Sequence, residues 1–156
     1  MDNTVFLAPV FGCLGAVSAI SLSVIGAAYG TAKCMIGMAA VAPKKPQLIL
    51  KSLVPMIMAG VLGIYGLVCA VLIVSNIESP PQYNMYSGFL GFGSGLAVGV
   101  CSLAAGFAIG NVGEAGIRSA AMRPQMYATI VLITGFAMVA GMYGMVISLI
   151  QSAKKT

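Results

Sequence analysis

Proton or metal chemistry in this chain would have to use three carboxylates, four thiols and a few hydroxyls. The acids are Asp2, Glu78 and Glu114, and histidine is absent. Cys13, Cys34, Cys69 and Cys101 form no Cys-x-x-Cys pair. Zinc and redox centres need clustered thiolates, imidazoles or carboxylates. No metal site is therefore expected, and the thiols read as small packing residues. Glycines 91, 93 and 95 lie in an apolar run with no phosphate-binding lysine, so they are not a nucleotide loop. With no such loop and no metal-binding acid pair, neither a catalytic site nor a cofactor is expected. Thr134 and Ser148 are expected to bond back onto helix carbonyls. Tyr65 and Tyr143 serve either cross-helix hydrogen bonds or packing.

The elements that hold these groups follow from where charge is missing. The 156 residues are 60% hydrophobic and 7% charged, whereas soluble domains carry about 25% charged residues. No charge occurs over 3–32, 52–77, 79–113 or 124–153. Each run exceeds the roughly 20 residues that carry a helix across a bilayer. Barrel strands would show alternation, and these runs do not. The pattern predicts an all-α membrane protein with four transmembrane helices, near 5–31, 53–74, 86–111 and 126–150. The first run lacks a basic leader and is longer than the roughly 7–15-residue core of a signal peptide, so it is expected as a mature helix.

Lys33, Lys44, Lys45, Lys51, Arg118 and Arg123 fall in or beside the helix 1–2 and helix 3–4 connections. Only Lys154 and Lys155 fall on the opposite side. The positive-inside rule puts both connections in the cytoplasm and both termini, with the Glu78 loop, in the lumen. Topology thus explains the net charge of +5, and no nucleic-acid partner is implied. By the same topology Glu114 lies near one end of the bilayer, paired with Lys33 or Arg118, and Met138 lies towards the other.

The halves 1–78 and 79–156 align at a constant offset of 78. Phe11 matches Phe89, Ala27 matches Ala105, and Pro46-Gln47 matches Pro124-Gln125. Gly63-Ile64-Tyr65-Gly66 matches Gly141-Met142-Tyr143-Gly144. The chain is expected to be two parallel-repeated helical hairpins. Small residues recur every four positions: Gly15, Ala19, Ser23 and Ala27 in helix 1, and Gly91, Gly95 and Gly99 in helix 3. Such stripes let helix backbones approach closely in lipid. Thin helices 1 and 3 suit the inner circle of a ring, and bulkier helices 2 and 4 the outer one.

Four segments carry a resemblance to a known family. They are Gly-Ala-Ala-Tyr-Gly-Thr-Ala-Lys over 26–33, Lys-Ser-Leu-Val-Pro-Met-Ile-Met-Ala-Gly over 51–60, Ile-Tyr-Gly-Leu-Val over 64–68 and Leu-Ala-Ala-Gly-Phe-Ala-Ile-Gly over 103–110. In order and spacing the chain resembles the c-type proteolipids of V-type proton ATPases. The resemblance implies a rotor ring in vacuolar or other acidified endomembranes. It implies other proteolipid subunits as partners, with a stator a-type subunit, a d-type subunit, the central rotor stalk and membrane lipid.

That family carries its proton on a glutamate midway along helix 4. Here the segment over 136–144 reads Phe-Ala-Met-Val-Ala-Gly-Met-Tyr-Gly, so Met138 holds the glutamate's position. Gly60, its repeat-related position, brings no acid either. A carboxylate can be neutral against lipid and ionised in a channel, whereas a thioether holds no exchangeable proton. Tyr65, Tyr143 and Glu114 are supporting candidates. The chain reads as a non-translocating member of a mixed ring, as one whose acid has been altered, or as one with a shifted site. A structural ring or pore without a motor is the alternative. A monomeric transporter fits poorly without midplane charges or broken helices.

Overall fold

The computed structural model describes residues 3–78 and 83–153. Asp2, Lys154, Lys155 and the whole Ser-Pro-Pro segment after Glu78 lie outside the described residues, and so do the expectations that rest on them. Four helices follow one another: α1 (Asn3–Val41), α2 (Gln47–Ser75), α3 (Met85–Met122) and α4 (Met126–Ala153). All four are long and apolar enough to span a membrane.

Two of the helices outrun the sequence expectation. At about 1.5 Å per residue the 39 residues of α1 and the 38 of α3 reach almost 60 Å, about twice the hydrocarbon thickness. Lys33, Glu114 and Arg118 therefore ride on helix, not in loops. A charge ends an apolar run without ending a helix, and the alanine-rich stretches that follow propagate it well. A proline does end α3. Arg123, just before Pro124, is extended at φ −135° and ψ 105°, as the clash with a following proline ring requires. Pro46 caps the start of α2. Both connections shrink to tight turns.

The seam between α1 and α3 is the closest in the molecule. A Cβ on Gly15 would overlap the Gly91 carbonyl, and one on Gly95 would overlap the Gly15 backbone. A Cβ on Gly26 would lie 2.7 Å from Leu103 Cα, and one on Gly106 would strike Gly26. Further along, a Cβ on Gly37 would lie 3.0 Å from Glu114 Cα. Gly15, Gly26 and Gly37 recur at eleven residues, as do Gly95 and Gly106. Eleven residues make three turns at 3.67 per turn, slightly above the natural helix period, so the seam persists for many turns with a gentle right-handed winding.

The four-residue stripe behaves differently, because positions four apart drift around a helix. Gly15 faces α3, but Ser23 and Ala27 face α2, where Cβ atoms on Gly66 and Gly63 would meet them. Ala19 and Ser23 are fully buried. In α3, Gly99 backs onto Leu22 and the Ser18 carbonyl, and Gly91 faces Gly12. All seven stripe residues thus pack within the chain. Around this pair, α2 touches both α1 and α3, and α4 touches α3 and α2 but not α1 among the described residues.

Two apolar clusters fill the bundle. One joins Ala27, Cys34, Ala59, Leu62, Ala105 and Ile109; the other joins Ala16, Ala19, Cys69, Ala70, Ile73 and Val98. Cys34 and Cys69 fill core gaps. Cys13 departs from the packing expectation, since it faces outward.

Candidate functional site

Position 138 lies on α4 at the margin of its buried face. Met138 is half-buried and packs against the cluster that contains Ala59, Leu62, Ala105 and Ile109. It shares a row of i, i+7 positions with Met145 and Ser152. Ser152 at the end of that row accepts a hydrogen bond from Asn76 Nδ2 at 2.9 Å, and its carbonyl accepts a second at 3.1 Å. The row therefore turns towards α2. Gly60, the counterpart of Met138 in the first half, sits in open space, since a Cβ there would meet no atom within 4 Å.

The α4 hydroxyl nearest to position 138 is already committed. Thr134, one turn away, donates to the Ile130 carbonyl at 2.9 Å and lies 3.4 Å from Met58 Sδ. Ser148 is buried on α4 close to Cys69 of α2. Tyr65 packs half-buried against both clusters. Tyr143 is 63% exposed on the outer face of α4, beside Phe136. The surroundings of Met138 are thus apolar, with no acid to exchange a proton.

Glu114 is bound on two sides. Lys33 Nζ lies 3.1 Å from its Oε2, and Arg118 Nη2 donates to its Oε1 at 2.8 Å. The first pair ties α1 to α3, and the second spans one turn of α3. Depth is where expectation fails. A Cβ on Gly116 would lie 2.6 Å from Ile130 Cγ1, and one on Gly141 would lie 3.5 Å from Ala105 Cβ. The residue numbers in both pairs total 246, which sets Glu114 level with Leu132. Met138 is then six residues away, about 9 Å along the axis. The two are not at opposite ends, because the tight turn folds α4 back early.

Glu114→Gln should lower the thermal midpoint in detergent by the equivalent of about 1 kcal/mol or less, since all three side chains are partly solvated. The gap from wild type should narrow in high salt. A gap that ignores salt would mean the ion pairs are not its source.

Sequence comparison places this geometry among known proteins. The family of ATP synthase C subunits matches residues 14–73 and again 92–151. The chain is 48% identical over 153 residues to the 16 kDa proteolipid c subunit of the V-type proton ATPase of Nephrops norvegicus, covering 98% of this chain and 96% of that one. It is 47% identical over 147 residues to the protein of that name in Homo sapiens, with 94% of each covered. It is 46% identical over 147 residues to the V-type proton ATPase c′ subunit of Saccharomyces cerevisiae, covering 94% and 90%.

Proposed function

Because the chain belongs to the family of ATP synthase C subunits, among its V-type proton ATPase proteolipids, we propose that it is a rotor-ring subunit whose own helix 4 carries no proton. The rotor-ring role follows from kinship over nearly the full length. The chain is a non-catalytic membrane subunit of a machine that moves protons. The silent helix 4 follows from Met138, a half-buried thioether where the proton-carrying acid would stand. Apolar residues of the core pack against it, and Thr134, one turn away, is spent on the Ile130 carbonyl.

In this reading the ring is mixed, and other proteolipid copies supply the acids. Its remaining partners are the stator a-type subunit, the d-type subunit with the central stalk, and lipid. The ring sits in a vacuolar or other acidified membrane, with the basic turns in the cytoplasm and both termini in the lumen. Six basic residues at or near the turn end support that orientation. The two hairpins, 1–78 and 79–156, are duplicates. The 78-residue offset and the paired family matches support this.

Met138 also favours a second reading, a proteolipid ring or pore without a motor. Isolation of the tagged chain in mild detergent separates the two. Co-purification of ATPase motor, stator and acid-bearing proteolipids is expected. A ring of this chain alone, free of motor subunits, would replace the first reading with the second.

A further inference from the structure

A cavity of about 480 Å³ opens between the two tight turns. Lys44, Lys45, Gln47 and Lys51 line it from the α1–α2 turn and the start of α2, and Pro124 and Tyr127 from the start of α4. No carboxylate is among its lining residues. Glu114, lower on α3, is held by Lys33 and Arg118. The cationic field in the cavity therefore has no internal counter-charge.

We propose that this cavity binds the phosphate of an anionic phospholipid headgroup. Lys45 Nζ donates to the Ala121 carbonyl at 2.7 Å, which fixes one ammonium at the rim and leaves it further N–H groups to give. Lys51 Nζ sits 5.8 Å from the centre of the Tyr127 ring, which holds the second at the opposite wall. Lys44 is exposed beside them. Lysines of this kind bind phosphate as point charges.

Depth and polarity select a lipid over a soluble acidic peptide. Lys51 is the last charge before the run 52–77, and Pro124 opens the run 124–153. On α2 and α4 the cavity thus sits where charge gives way to apolar sequence. Deeper along α2 and α4, Ile57 is 63% exposed and Leu132 62% exposed. A phosphate above with acyl chains below matches cations above with bare apolar side chains below them, the pattern of basic headgroup pockets between membrane helices. A soluble peptide would satisfy the lysines and leave Ile57 and Leu132 uncovered.

Native mass spectrometry of the full chain, delipidated in detergent, tests this. Phosphatidylserine and phosphatidylinositol 4,5-bisphosphate are titrated against phosphatidylcholine. Anionic lipid should be retained at least about tenfold better, given a contribution of roughly fivefold per lysine near an anionic headgroup. Lys44→Gln/Lys45→Gln/Lys51→Gln should bring that ratio near one with helicity unchanged. Lys154→Gln/Lys155→Gln, which removes charge elsewhere, should leave it intact. Equal retention of phosphatidylcholine overturns the proposal, as does an undiminished preference in the triple variant. Displacement of the lipid by millimolar inorganic phosphate overturns the lipid assignment. So does capture of a soluble acidic protein, lost in the triple variant, with no lipid preference.

Discussion

Replacing Met138 with glutamate should create a carbodiimide-reactive acid where the native chain has none. The two side chains have similar length, so the substitution fits the half-buried flank of α4 without a new cavity. Apolar neighbours from the core cluster surround it, and no cation is at hand to stabilise the charge. Desolvation keeps such a carboxyl protonated, the form that carbodiimide attacks. Peptide mapping should place the adduct at position 138 in Met138→Glu and find none within α4 of the native chain. Vesicles holding rings of the variant with stator should show proton flux. Rings of native chain alone should stay at background. An adduct inside the membrane in the native chain would refute the loss of the proton site.

The second large effect concerns the glycine seam. Gly95→Leu should destroy the fold or cost more than about 4 kcal/mol, because its Cβ would occupy the space of the Gly15 backbone. Backbone cannot rotate away as a side-chain tip can. Gly135→Ala on α4 is the control, since a Cβ there meets nothing within 4 Å. It should be neutral or stabilise by up to about 1 kcal/mol through helix propensity. Thermal aggregation midpoints in detergent compare the two. Equal midpoints would show that the seam does not hold the bundle.

Much of the architecture is legible in four charge-free runs, because lipid leaves a helix no use for charge. The ends of α1 and α3 are not, since Lys33 and Glu114 end apolar runs without ending helices. That one ambiguity makes the connections look too long and puts Glu114 too far from Met138. The small-residue stripes are visible in the sequence, but their partners are not. A spacing of four marks neighbours on one helix, and only the eleven-residue recurrence of Gly15, Gly26 and Gly37 marks a seam that persists. The closeness of Ser148 to Cys69 is hidden too, because a sequence does not say that a thiol on α2 lies beside α4. Met138 needs no coordinates, since its side chain alone decides that it holds no proton.

Gly60 and Met138 occupy matching positions in the two halves, yet one is bare and the other is tucked against α2. The molecule therefore has two unlike flanks, a vacant one at α2 and a filled one at α4. Copies placed side by side would join vacant flank to α4 flank, a head-to-tail contact that cannot be reversed by turning one copy around. A closed circle built this way has handedness: seen from one membrane face, clockwise and anticlockwise are chemically distinct directions.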